Sequence, residues 1–294
     1  MTFFLQFLLS GLMLGGIYGL IALGIVLIYK SSRVFNFAHP ELVVLGAFVV
    51  WTFVAPLKLH FGLAIIAAIA LCLLLAIVIE RLILRPMTGQ PLLAVIMATI
   101  GLSQVVAGVT TLAWPGPGRA YPPIIPSGAV HLGGIVLAQE NLISFAVCII
   151  TFLTFLAFFR YTKMGLAMRG TAEDAQLAQS GGIKVTTVFT GAWFIGMVLA
   201  VIGGVLLGNI HTVDPMIGGY GIAAFAAVFV GGLESIPGAI ISGLIIGVLQ
   251  MLGAGYIDAI MPVRSSELIP YVILLLILLA KPFGLFGYER IERV

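Results

Sequence analysis

The sequence predicts an all-α integral membrane protein, a polytopic helical bundle of about eight to nine spans at about 20 residues per span. Three observations lead there. Of 294 residues, 61% are apolar and only 9% are charged, against about 25% charged in soluble domains. The mean hydropathy is +1.22. The apolar residues fall in long, charge-free runs rather than at amphipathic spacing. This composition excludes a soluble enzyme, a disordered chain and a disulfide-stapled secreted domain. The two cysteines, Cys72 and Cys148, lie inside apolar runs and behave as small hydrophobes, implying neither a disulfide nor a metal framework.

The predicted spans are 3–29, 40–57, 61–80, 91–113, 140–159, 185–208, 218–233, 237–256 and 267–281. The first run is uncharged from Phe3 to Tyr29 and lacks the basic start of a cleaved signal peptide. The pair 218–233 and 237–256 is broken at Glu234-Ser235-Ile236-Pro237-Gly238 and fits either two full spans or a shallower re-entrant hairpin. Placing the N-terminus outside leaves only Lys58, Arg119 and Arg264 in outer loops, so eleven of the 14 lysines and arginines face the cytoplasm. That bias predicts the N-terminus out and the C-terminus in. The whole chain, 1–294, reads as a single transmembrane domain, with the lipid bilayer as its medium and no feature that calls for nucleic acid.

Two loops are long. The outer one, 114–140, opens Trp114-Pro115-Gly116-Pro117-Gly118 and reads as irregular, turn-rich backbone. The inner one, 161–184, is the most polar stretch. Thr171-Ala172-Glu173-Asp174 fits the pattern of a capped helix start, with acids at the positive end of the helix dipole. Ser180-Gly181-Gly182 supplies a stop. Between them lies an expected helix of about two turns with Ala172, Ala175 and Ala178 along one face. Spacing alone fits both a linker helix and a docking helix for a soluble partner.

Three further motifs fall within or beside the spans. In Asn36-Phe37-Ala38-His39-Pro40-Glu41, Pro40 suits the first helical position and Glu41 the first turn. Helix capping leaves Asn36 and His39 unexplained, because polar side chains at membrane depth face a bundle interior or a cavity. Thr99 and Ser103 share one helix face, with Gln104 beside them; they line a conduit or bond back to their own helix carbonyls. Gly11, Gly15 and Gly19 form two overlapping G-x-x-x-G frames, and Gly243 with Gly247 forms another, which points to close helix packing within the chain. The sequence carries no phosphate-binding P-loop, no zinc-protease motif and no nucleophile elbow. The expected spans hold no carboxylate at mid-depth, which weighs against a proton-coupled carrier.

Taken in order, these motifs resemble the branched-chain amino acid permeases of bacterial ATP-binding cassette importers, the LivH type. The landmarks are Asn36-Phe37-Ala38-His39, Ile79-Glu80-Arg81 with Arg85-Pro86, and Ile100-Gly101-Leu102-Ser103. They continue with Arg160-Tyr161-Thr162-Lys163-Met164-Gly165, Ala172-Glu173-Asp174, and Gly231-Gly232 followed by Ser235-Ile236-Pro237-Gly238-Ala239. The chain departs from the family pattern at Pro40 and Glu234, where the family usually has Gly. The resemblance implies a fold similar to type II importer permeases and a non-catalytic subunit forming half of a solute path. It implies four partners: a homologous second permease, two cytoplasmic ATPase subunits and a periplasmic substrate-binding protein. Mg-ATP would sit on the ATPases, leaving this chain without a cofactor, and the complex would lie in the bacterial inner membrane. Under this resemblance Asn36, His39, Glu41, Thr99, Ser103 and Gln104 become candidates for the solute path. Arg169, Thr171, Glu173, Asp174, Ala175 and Leu177 become candidates for ATPase coupling. The alternatives are the same machinery carrying urea, an amide or another amino acid, and a secondary transporter that works without ATPases.

Overall fold

The computed structural model describes residues 2–87, 89–123, 128–132, 134–258, 260 and 265–287; of the charges counted above, Arg264, Arg290 and Arg293 lie outside them. The chain is mostly helical. It runs α1 (Thr2–Ser32), α2 (His39–Val54), α3 (Phe61–Ile79), α4 (Arg85–Met87), α5 (Leu92–Ala113), α6 (Gln139–Tyr161), α7 (Lys163–Glu173), α8 (Ala175–Ser180), α9 (Val185–Ile210), α10 (Gly218–Gly231), α11 (Ile236–Tyr256) and α12 (Ile269–Ala280). Among the described residues, six helices are long and apolar enough to cross a membrane, and three shorter apolar ones, including α2 and α12, accompany them.

α3 and α4 form one continuous rod through a π-helical turn, Glu80–Leu84. Pro86 has no N–H and crowds the preceding turn, and the wider π turn takes up that strain. Within it Arg85 Nε donates to the buried Glu80 carboxylate at 3.1 Å.

α1 and α9 form the centre, while α3, α5, α6 and α12 turn large apolar side chains such as Leu63, Ile66, Leu153 and Leu279 outward. Glycine decides which helices reach the middle. A Cβ at Gly247 would collide with Gly15 Cα, one at Gly243 would lie 2.5 Å from Gly19 Cα, and one at Gly11 2.5 Å from Val248 Cα. The two sets of glycines therefore interlock α1 with α11 backbone to backbone, which only residues without a Cβ allow.

The loop 114–140, expected to lie outside, differs from expectation in one respect. Ala129–Leu132 and Ile135–Ala138 pair as an antiparallel hairpin, turned at Gly134 with φ 89°. Pro115, Pro117, Pro122 and Pro123 do stay irregular, but the Val-His-Leu and Ile-Val-Leu segments satisfy each other's backbone across the turn. Nearer α5, Arg119 bridges Val213 and stacks its guanidinium 4.5 Å from the Trp51 ring, while Trp114 Nε1 donates to Thr52 Oγ1 at 2.7 Å. These contacts pin the C-terminal end of α2.

Candidate functional site

α2 and α10 have 16 and 14 residues, about 24 and 21 Å at 1.5 Å per residue, so each is shorter than a bilayer core of about 30 Å. Their N-terminal ends meet inside the bundle. A Cβ at Gly221 would lie 2.8 Å from Pro40 Cβ, and one at Gly218 would lie 3.5 Å from Glu41 Oε1. Two positive helix ends thus converge on the segment Phe35–Glu41.

The side chains of that segment point three ways. His39 is fully buried against α1, where a Cβ at Gly24 would come 2.9 Å from Nε2, and neither ring nitrogen has a partner among the described residues. Asn36 Oδ1 accepts from the Ala38 N–H at 3.0 Å and closes the turn into α2, while its buried Nδ2 is unpartnered among the described residues. Glu41 is half-buried beside Gly218. From α5, the buried Thr99 hydroxyl donates to Ile96 O at 3.0 Å and lies 3.3 Å from Phe35 O. Ser103 is half-buried, and Gln104 is exposed on the outward face of α5. The structure therefore gathers Asn36, His39, Glu41 and Thr99 around one segment and leaves Gln104 apart. Buried polar atoms without partners are costly unless a ligand or water meets them.

Two features escape sequence reasoning. Phe35 stacks 5.2 Å from Phe229 and 5.3 Å from Phe225, and Phe37 sits 4.7 Å from Phe35 and 5.7 Å from Phe225. This aromatic cluster packs between the polar segment and the end of α10. On the other side, Tyr18 donates to Gln250 at 2.8 Å within the core. A tyrosine and a glutamine within apolar spans are the available signal for that bond; the Phe pair of α10, i and i+4 in an apolar helix, gives none.

The loop 161–184 corrects the expected cap. The helix over 171–179 is two helices broken at Asp174, whose backbone is extended at φ −148°, ψ 110°. Asp174, not Thr171, caps the second: its Oδ1 accepts from the N–H groups of Gln176 and Leu177 at 2.8 and 2.9 Å. Thr171 lies inside α7 and donates to Ala167 O at 2.8 Å, because a threonine already in a helix satisfies its hydroxyl on the preceding turn. α7 starts earlier, capped by Thr162, which accepts from Gly165 N–H at 3.0 Å. The break also dissolves the alanine face, since Ala172 and Ala178 are buried and Ala175 is exposed. Leu177 is 70% exposed, an apolar side chain presented outward on a capped turn. Glu173 and Asp174 are exposed beside it. Arg169 folds back over the Phe159 ring at 5.5 Å and does not join them.

Residues 7–278 match the family model of the branched-chain amino acid transport system permease component. The chain is 32% identical to the high-affinity branched-chain amino acid transport system permease protein LivH of Salmonella typhimurium, over 99% of this chain and 98% of that one. It is 30% identical to the permease protein BraD of Pseudomonas aeruginosa, again over 99% and 98%. Its fold is similar to a chain of PsaBC from Streptococcus pneumoniae solved in complex with Fab, with a TM-score of 0.50 and 16% identity over 93% and 90% of the two chains. By its near full-length match and its bundle of apolar helices, this chain belongs to the branched-chain amino acid transport system permease family.

Proposed function

We propose that the chain is one permease subunit of an ATP-binding cassette importer for branched-chain amino acids, with its N-terminus outside and its C-terminus in the cytoplasm. The observation that carries the substrate class is identity of 30% and 32% to branched-chain amino acid permeases along nearly the whole chain. A homologous second permease completes the path, two cytoplasmic ATPases drive it, and a periplasmic binding protein delivers solute.

In this reading the segment from Asn36 to Glu41 lines the path. The converging N-termini of α2 and α10 suit the carboxylate of an amino acid, Glu41 suits its ammonium group, and the amide of Asn36 and imidazole of His39 supply the remaining polar contacts. Thr99 and Ser103 border the path from α5, and Gln104 faces the second permease. The aromatic cluster closes the cytoplasmic side until the ATPases move. Their contact is the α7–α8 segment, where Leu177 enters an apolar cleft and Glu173 and Asp174 meet basic residues at its rim.

The test is reconstitution with the two ATPases, the second permease and the binding protein in vesicles loaded with ATP. Leucine, isoleucine and valine should accumulate only with ATP and the binding protein. Uptake by this chain alone, driven by an ion gradient, would refute the reading. Orientation is tested separately by single cysteines labelled with an impermeant reagent in intact cells: position 119 should label and position 173 should not. Cys72 and Cys148 are buried and stay silent.

A further inference from the structure

At the cytoplasmic end of α1, one side chain joins three elements that are distant in sequence. Arg33 Nη1 pairs with the Glu234 carboxylate in the turn between α10 and α11. Its other terminal nitrogen, Nη2, donates to the carbonyl of Ala172 in the last turn of α7 at 2.9 Å. Lys30, near the end of α1, donates to the Glu234 backbone carbonyl at 3.1 Å.

Several details show that this junction is built rather than incidental. Arg33 holds a left-handed backbone, φ 58°, at a helix end where glycine or asparagine is usual. Its own N–H still closes α1 by donating to Tyr29 O at 2.7 Å. The Ala172 carbonyl belongs to a helix C-terminus, which lacks an intrahelical donor and carries partial negative charge, so a guanidinium fits it. The turn it holds is rigid: Gly232 has φ 95°, Ser235 Oγ caps α11 by accepting from Gly238 N–H at 3.0 Å, and Gly231 meets Gly238 backbone to backbone. Beside the junction lies a cleft of about 450 Å³ bordered by Tyr29, Phe229, Leu278 and Phe283. The residue after next, Phe35, stacks on Phe225 and Phe229 of α10. Arg33 thus touches the loop segment on one side and, through the turn, the helix that carries the aromatic closure on the other.

We propose that Arg33 is a positioning residue that transmits movement of the α7–α8 segment to the α10–α11 turn, so that the aromatic closure opens only when the ATPases move. The proposal rests on the reading that α7–α8 is the ATPase contact. The planar fork is the reason for arginine: two nitrogens of one rigid group serve two elements at once, which a lysine ammonium on a flexible stem does not reproduce.

The experiment uses the complete reconstituted importer and measures leucine uptake and ATP hydrolysis on the same vesicles. Arg33→Lys keeps the charge and loses the fork. It should co-purify with the ATPases and retain binding-protein-stimulated hydrolysis, while leucine moved per ATP falls at least about fivefold, the low end of allosteric couplings. Glu234→Ala keeps the Arg33–Ala172 contact and the Lys30 bond to the backbone carbonyl of residue 234, cuts the link between Arg33 and the turn, and should uncouple in the same way. The exchange Arg33→Glu with Glu234→Arg restores an ion pair but sets a carboxylate against the Ala172 carbonyl, so it should stay uncoupled. Normal uptake per ATP in Arg33→Lys or Glu234→Ala overturns the proposal, as does full rescue by the exchange, which would make the pair a local staple. Loss of assembly in both single variants also overturns it in favour of a purely structural role. Failure of the wild-type chain to co-purify with ATPases instead removes the reading beneath it.

Discussion

Two glycine-lined faces of α1 are put to opposite uses. On one, Gly11, Gly15 and Gly19 receive the backbone of α11, and the buried polar side chains that join the two helices, Tyr18 and Gln250, satisfy each other at 2.8 Å. On the other, Gly24 receives the imidazole of His39, whose two nitrogens are unpartnered among the described residues. The first face is complete in itself and serves packing. The second is incomplete, since a protein gains nothing in stability from burying unpaired polar atoms. One residue type on one helix thus serves both a closed packing face and one that buries unpartnered polar atoms.

Breaking the first face should have the largest effect. Gly15→Val or Gly247→Val forces a side chain into backbone closer than 3 Å. The expected cost is about 1–3 kcal/mol or more from overpacking, read as lost monodisperse protein after extraction and a lower Tm. A variant that folds and transports normally would show that α1 and α11 do not interlock.

The second face should respond differently. His39→Ala is expected to cut uptake about tenfold, the equivalent of about 1.4 kcal/mol of lost interaction. The folded importer should lose less Tm than the glycine variants, because relieving two unpaired buried nitrogens offsets part of the cavity that a fully buried imidazole leaves. A Tm drop equal to that of the glycine variants, with uptake per folded complex unchanged, would place His39 in the scaffold instead.

The inner loop sharpens the contrast further. Leu177→Glu changes a side chain that is 70% exposed, so stability should hold while binding-protein-stimulated ATP hydrolysis falls. Asp174→Ala should weaken α8 by about 1 kcal/mol, the usual value of an N-cap, with a partial loss of stimulation. Full stimulation in both would reduce α7–α8 to a linker.

The smallest effect is expected at Thr171. Thr171→Val is isosteric at a buried position and removes a back-bond to Ala167 O but no cap, so stability read from Tm should change by no more than about 0.5 kcal/mol, the low end of a net hydrogen bond. A loss as large as that of Asp174→Ala would restore Thr171 as the cap.

Much of this architecture is legible in the sequence. Charge-free runs place the helices because each must cover its own polar backbone, and every expected span coincides with a helix to within a few residues. The family landmarks are legible too, as is the glycine spacing. The break at Asp174 is not. Thr171 and Asp174 both suit a cap, and the choice depends on where the preceding helix starts, which Thr162 sets well upstream. The hairpin at 129–138 is hidden by the prolines ahead of it.

Sequence by itself determined the class, the helices and the family, since hydrophobic length and motif order are local properties of the chain. Tertiary structure alone decided which polar residues share a site. Thr99, Ser103 and Gln104 are close neighbours in sequence, yet Thr99 is buried against Phe35 and Gln104 faces out. Arg33, Ala172 and Glu234 are far apart in sequence and meet at one guanidinium. Helix rotation and packing against other helices set those outcomes, and both depend on contacts that no local spacing encodes.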